Sequence, residues 1–554
     1  MKKWMLGVLC VVFLLFSLYP TIYEYSRKSD LPNNRSFELV HNYITDYNFY
    51  LSRIREGWDG RWTAVERYTS EPHQGSLIQE FYVLLGRLVR FVANPDVAVP
   101  ASYHASRIVF GLFTLVVIAR IASALFSAPF WAVLAFSLAV TASGWPKFVP
   151  VEDSIRIGGY MPWWTVLDGL QRITFLPHIL LGQMCMMYLI VAGGTISTLA
   201  KHRMWKLGSV ALLLGLVFPP ALVFVLFVYG VMMAWEYMTK KNTAVLSWMK
   251  SSVLPRVLIG CIAFPSLLYF SYLFGFYPWK RLVEFDILHP LPFSYAEYLQ
   301  TIGPILLTGI IGAILVIKQK ATSWYPMVAW VVSNFVLILF FHYVPLQHPL
   351  RFTEMAVHVP LGLLTAYAAY SVVTITKKKH LSPYIGVTAL VIPFLLVLLG
   401  GMTMYSSWLW QKDFVDQKIA AGWPEIAMNN YIVYPAKGFI EAITFIDTSL
   451  PKSAIILSDM VAGNYIVART GRTVFIGHDN TVRREEKEAQ AKVFFSGKMD
   501  PKTAYQFIKT ERISYVFFGP QEKEAGGVEA LGDVYPFLQS VYGTYTATIY
   551  QVLP

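Results

Sequence analysis

The sequence predicts a polytopic α-helical membrane protein of about 11 transmembrane helices that ends in a soluble α/β domain. Three observations predict it. Hydrophobic residues make up 55% of the chain and charged residues only 14%, more apolar surface than a soluble domain can hide. Apolar runs of roughly 20 residues, the length that spans hydrocarbon, recur along the chain. Beyond about residue 404 the pattern changes to short apolar strands separated by helical stretches.

The first run, Trp4 to Pro20, follows Met1-Lys2-Lys3. It resembles a signal peptide, but bulky residues (Tyr19 to Tyr23) stand where small ones would mark cleavage, so a retained signal anchor is expected. Further runs lie at about 103–124, 127–143, 173–192, 207–218, 221–236, 257–274, 302–317, 324–341, 354–375 and 383–404. Pro219-Pro220 interrupts the stretch from Leu207 to Trp235. Because basic tracts stand at both of its ends, two short helices hinged at the prolines are expected.

The formal net charge is +12, and its placement identifies its role. Lys2-Lys3, Lys201 to Lys206, Lys240-Lys241, Lys318 to Lys320 and Lys377 to Lys379 sit in short links with almost no acids. That is the cytoplasmic signature of the positive-inside rule and argues against a nucleic-acid surface. The N-terminus is then inside and the C-terminus outside. The three cysteines, Cys10, Cys185 and Cys261, all fall in apolar runs, which excludes a disulfide framework and a thiolate metal site. A bacterial inner membrane is the expected location.

The expected organisation is a transmembrane domain over 1–404, with a first outer loop at 21–100 and a second at 144–172. An extracytoplasmic α/β domain follows over 405–554. Its strands are expected at Ala454 to Leu457, Val474 to Ile476 and Tyr515 to Phe518, with a helix near Ala436 to Ile446. Asp500-Pro501 reads as an N-cap followed by Pro at the first helical position. Gly477-His478-Asp479-Asn480 reads as a turn.

Chemistry is expected in the outer loops, which hold the hydrophilic mass. In the first, Phe49, Arg53, Glu56 and Gly60 recur at helical spacing, and Asp46 stands at the start of the stretch. Asp46 as a plain cap, with Arg53 and Arg55 as interfacial anchors, fits these residues equally well. The second loop carries Glu152-Asp153. Arg172 and His178 stand at the outer end of an apolar helix, where ionisable groups are costly and often functional; snorkelling is the competing explanation. Arg351 lies in the last short outer loop, and its planar fork suits a phosphate. His342, His348 and His358 are irregularly spaced for zinc. The loop with Glu284, Asp286, His289, Tyr295 and Glu297 reads as a lid.

An acidic residue soon after the first helix, followed by a Tyr- and Arg-rich amphipathic stretch, resembles the first outer loop of GT-C glycosyltransferases. These include oligosaccharyltransferases, protein O-mannosyltransferases and lipid A aminoarabinose transferases. The resemblance implies transfer of a sugar from a polyprenyl-phosphate donor to a saccharide, lipid or protein acceptor at the outer membrane face. It implies that Asp46 is the catalytic base or a metal ligand, that Glu152 and Asp153 support it, and that Arg53, Arg172, His178 and Arg351 bind substrate. A divalent cation, Mg or Mn, would sit on Asp46 and Asp153. The adjacent pair departs from the Asp-x-Asp form of metal-using members, and neighbouring side chains on an extended segment point apart. Two other readings stand beside this one: a transporter or flippase, and a non-catalytic envelope assembly protein.

Overall fold

The computed structural model describes residues 2–151, 154–194, 201–239, 245–380, 382–427 and 431–554. Every apolar run lies in a helix: Lys2–Ser26, Pro95–Leu125, Pro129–Thr141, Pro177–Gly194, Lys201–Val217, Pro219–Thr239, Leu254–Leu273, Ile305–Lys318, Tyr325–Tyr343, His358–Lys378 and Pro383–Ala420. Among the described residues, eight helices are long and apolar enough to cross a membrane. The number is up to nine if Tyr295–Ile302 and Ile305–Lys318, bent by 85°, count as one span. The expected 11 exceeds this because Pro129–Thr141, Lys201–Val217 and Ile305–Lys318 have only 13, 17 and 14 residues. At about 1.5 Å rise per residue, such helices fall short of a hydrocarbon core about 30 Å thick.

The chain divides into two compact units. The first comprises Met1–Pro20, Ser106–Tyr269 and Pro290–Gln411, and holds most of the apolar helices. Small residues let its backbones approach closely. A Cβ on Gly312 would stand 2.0 Å from the Leu364 carbonyl oxygen, and one on Gly362 2.5 Å from the Ala139 nitrogen. The His358–Lys378 helix is thereby clasped from two sides. The 85° bend turns on Gly303, whose φ of +78° and 2.2 Å Cβ approach to the Ser143 carbonyl oxygen admit only glycine. The expected hinge is present: Phe218 separates Lys201–Val217 from Pro219–Thr239. A hairpin, β1 (Pro146–Val151) with β2 (Ser154–Gly159), pairs antiparallel in this unit.

The second unit comprises Thr21–Ala105, Phe270–His289 and Lys412–Pro554. Its sheet contains β3 (Ile455–Leu457), β4 (Thr473–Val474), β5 (Tyr515–Phe518), β6 (Leu538–Gly543) and β7 (Thr548–Val552), in the order β4-β3-β5-β7-β6. β4, β3 and β5 run parallel, while β7 pairs antiparallel with β5 and β6. Phe475, Phe494, Phe495, Val516 and Phe518 form its core. Asp500 caps the Pro501–Thr510 helix by accepting the Lys502 and Thr503 N–H groups, each at 3.1 Å.

Two boundaries differ from expectation. Position 405 lies inside the continuous Pro383–Ala420 helix. Hydrophobicity ends near 404, but helix formers continue to the Gly422-Trp423-Pro424 break, aided by a 3.0 Å Lys412–Asp416 pair one turn apart. The first outer loop also belongs with the C-terminal segment in the second unit. Arg35 donates to the carbonyls of Pro424 and Tyr434 at 2.8 and 2.9 Å, and Asp447 receives both Arg55, at 2.9 Å, and Arg472, at 2.6 Å. Ion pairs between segments so far apart in sequence leave no local trace in either segment.

Candidate functional sites

Residues of interest fall in both units. In the second, the amphipathic stretch forms the Ile44–Trp58 helix, with Tyr43 rather than Asp46 at the N-cap and no side-chain cap bond. Asp46 instead lies in the first turn, where the helix dipole favours negative charge. Of the four charged side chains on this helix, Arg53, Arg55 and Glu56 are buried, while the Asp46 side chain is 47% exposed.

His478 stands beside Asp46. Its ring stacks on Phe49 at 4.5 Å and lies 5.3 Å from Tyr68. The loop that carries it is held by Thr481, whose hydroxyl donates to the Tyr68 carbonyl at 2.8 Å. Nδ1 accepts the Asn480 N–H at 3.2 Å, which places the imidazole proton on Nε2, 4.0 Å from the Asp46 carboxylate. Burial, with Arg53 and Arg484 adding to it, lowers the pKa of His478 to about 3. The ring is therefore neutral, and its Nε2–H faces the carboxylate from beyond hydrogen-bond range. Sequence reasoning passed over this residue, because a Gly-His-Asp-Asn turn gives no sign of the helix it will meet.

Arg53, expected among the substrate-binding residues, lies in the interior of the second unit. Its side chain is fully buried, pairs with Glu66 at 2.7 Å and Glu56 at 3.6 Å, donates to Gln79 at 3.2 Å and lies over Phe49 at 4.6 Å. Burial opposes its charge, but Glu66 and then Glu56 more than offset that. A guanidinium enclosed in this way holds the loop together, with each of its three nitrogens hydrogen-bonded inside the unit.

In the first unit, the chain after Tyr343 returns through Leu350–Thr353 to the His358–Lys378 helix. Asn334 Nδ2 donates to the Phe352 carbonyl at 2.7 Å, Trp330 Nε1 to that of Met355 at 2.8 Å, and Gln183 Nε2 to that of Glu354 at 2.7 Å. Ala356 takes a φ of +48° to make the turn. Arg351 lies over the Trp164 ring at 5.6 Å and interacts electrostatically with both His178 and Glu354. Arg172 donates to the carbonyls of Val140 and Ala142, which anchors it, and its Nε has no hydrogen-bond partner. Arg172, Glu354 and His358 line one cavity of about 50 Å³.

Glu354 is 3% exposed, and neither carboxylate oxygen has a hydrogen-bond partner. Burial lifts it to about 7 although Arg351 pulls the other way. The sequence did carry a signal for it, an acid between two apolar helices and one turn beyond an arginine.

Glu152 and Asp153 lie outside the described residues. Among the described residues, no group of three or more His, Cys, Asp or Glu could hold a metal ion. The described part of the predicted ion site supplies one carboxylate, Asp46, and so defines no coordination sphere. His348 is engaged with the Leu291 carbonyl at 3.0 Å. In the expected lid, Glu284 accepts Tyr277 at 2.8 Å and Glu297 accepts Tyr160 at 3.0 Å, so both ends of that segment are structured.

No family model matches the chain, and no curated protein matches it. Among solved structures, it is similar to the Archaeoglobus fulgidus oligosaccharyltransferase tethered to an acceptor peptide containing an NVT sequon. That match has 13% identity, 100% coverage of this chain, 75% of that one and a TM-score of 0.49. A complex of the archaeal enzyme with an inhibitory peptide and a dolichol-phosphate matches at 12% identity, 93% and 69% coverage, and a TM-score of 0.48. A complex with Zn and sulfate matches at 12% identity, 98% and 73% coverage, and a TM-score of 0.47. All three are structures of an archaeal oligosaccharyltransferase.

Proposed function

We propose that the protein is a glycosyltransferase that moves a sugar from a polyprenyl-phosphate donor to an acceptor at the outer face of the membrane. The observation that supports this most is Asp46. This carboxylate is half-exposed, in the first turn of its helix, and faces a neutral imidazole N–H. A carboxylate so placed is suited to general-base work.

In this reading the acceptor heteroatom attacks the anomeric carbon and Asp46 takes its proton. The bond from that carbon to the phosphate oxygen breaks, and its electron pair leaves with the lipid phosphate. A single displacement inverts the anomeric centre. Within the second unit His478 is the group that faces the carboxylate, at 4.0 Å; Arg351, in the first unit, is the side chain suited by its planar fork to the charge of a phosphate.

The test is sugar transfer from a radiolabelled polyprenyl-phosphate donor pool in membranes at matched expression. Asp46→Asn is expected to lower the rate by about 10²–10⁴-fold, the usual worth of a general base, and Arg351→Ala to weaken transfer with a raised KM. Wild-type rates in Asp46→Asn would remove that residue from the mechanism.

A further inference from the structure

The first outer loop carries a second apolar surface. Its Glu80–Leu88 helix turns Tyr82, Val83 and Gly86 inward. Gly57 and Gly86 let it lie against Ile44–Trp58, since a Cβ on either would overlap the other helix's backbone. The opposite face is apolar too. Leu84 and Leu88 stand one turn apart, Phe91 follows in the turn after the helix, and the three are 43%, 69% and 91% exposed. The stripe is held in place, because Trp58 Nε1 donates to the Val92 carbonyl at 2.9 Å.

Three guanidinium groups gather beside it. Arg87 donates to the Gly60 carbonyl at 2.8 Å and lies over the exposed Trp62 ring at 4.0 Å. Arg90 packs flat on Gly60, where a Cβ would meet its guanidinium carbon at 3.3 Å. Arg61 is the next residue and is exposed. Among the described residues none of the three pairs with an acid: Asp59 is engaged by Arg55 and Lys452, and Asp96 faces Arg469. Like charges held together in this way favour an anion between them.

The next helix sets the depth. Pro95–Leu125 is long and apolar enough to cross a membrane. Val97, Ile108, Val109 and Phe113 are exposed along it, and so is Arg120. From Val97 to Arg120 the helix rises about 35 Å, which spans a core about 30 Å thick at the ordinary tilt of about 20°. Phe91 stands just before Val97 in the chain, so the stripe and the arginines lie where hydrocarbon gives way to headgroups.

We propose that this surface is a foot of the first outer loop that binds anionic phospholipid of the outer leaflet. Leu84, Leu88 and Phe91 enter the acyl region, and Arg61, Arg87 and Arg90 hold the headgroup phosphate. Trp62 and the arginines are the residue types that such an interface favours. A soluble acidic peptide would match the charge but leave the stripe in water. None of these residues takes part in the transfer scheme above.

The experiment places the full-length chain in nanodiscs of equal parts phosphatidylcholine and phosphatidylglycerol, with brominated acyl chains on one lipid or the other. An environment-sensitive fluorophore is attached at Leu84→Cys, or at Lys502→Cys on the exposed side of another helix. Cys261→Ser removes the exposed native thiol, and Cys10 and Cys185 are buried. Bromine is expected to quench the Leu84 label at least twofold and to leave the Lys502 label unchanged. Each arginine near an anionic surface is worth about fivefold in lipid affinity, so brominated phosphatidylglycerol is expected to quench about threefold more than brominated phosphatidylcholine. Replacing Arg61, Arg87 and Arg90 together by Gln is expected to abolish that difference and keep the quenching. Inorganic phosphate at constant ionic strength is expected to leave the difference in place. No more quenching at Leu84 than at Lys502 overturns the proposal, whether water or another protein covers the stripe. Equal quenching by the two lipids overturns it in the wild-type background alone, even if the triple variant does not fold. A preference that survives in the folded triple variant, or that free phosphate abolishes, also overturns it.

Discussion

His478 and Arg53 touch the same aromatic ring, Phe49, and do different work. His478→Phe preserves stacking and removes the N–H that faces Asp46. It is expected to leave the fold intact and to lower transfer by about two- to fivefold, the scale of a charge contact too long for a hydrogen bond. Steady-state kinetics read the effect in kcat more than in KM. The same substitution alters acid sensitivity. Because the folded imidazole titrates near 3 rather than 6.5, the unfolded chain binds a proton that the folded one refuses. Stability therefore falls as pH drops from about 6.5 towards 3, and His478→Phe removes that contribution. Arg53→Met leaves Glu66 buried without its cation, while Glu56 keeps Arg67 at 3.5 Å, and is expected to cost about 3–5 kcal/mol in a denaturation experiment. A phosphate-binding Arg53 would instead lower donor affinity at unchanged stability. At this scale the sequence showed the kinds of residue but not their fates. Asp46 and Arg53 look alike as charges on one stripe, and only tertiary burial separates the exposed acid from the enclosed base.

Among the elements, helices were legible wherever hydrophobicity alone sets them. Each apolar run lies in a helix because burying that many nonpolar side chains requires satisfied backbone groups, whatever the neighbours. Ends were less legible. The Pro383–Ala420 helix outruns its apolar part because propensity and an i,i+4 ion pair continue it. β6 and β7 were not foreseen, because an exposed pattern such as Leu538–Gly543 lacks the apolar run that marks a central strand. The close helix contacts are testable here. At Gly312 an added Cβ meets the Leu364 backbone at 2.0 Å, so Gly312→Ala must push two helices apart. A loss of about 1–3 kcal/mol is expected, read as a lower thermal midpoint in detergent. Gly401→Ala has nothing within 4 Å of the new methyl and serves as the control.

At the scale of the molecule, the second unit is built from three separate stretches, the first outer loop among them. Domain reading from composition separated that loop from the C-terminal segment, since the ion pairs joining them are invisible in either stretch alone. A chain truncated after Ala420 loses Asp447 from Arg55 and the carbonyl cradle of Arg35. Limited proteolysis is therefore expected to cut such a chain between Thr21 and Ala105 at least tenfold faster than the full-length protein. An independent C-terminal domain would leave that rate unchanged.

The central claim is that Asp46 acts on the acceptor's proton rather than on donor binding. The measurement that reaches it most directly takes one preparation of Asp46→Asn and reads both donor affinity and single-turnover sugar transfer against wild type. The account predicts a Kd within about threefold and a transfer rate lower by about 10² or more. A transfer rate equal to wild type at saturating donor would contradict it.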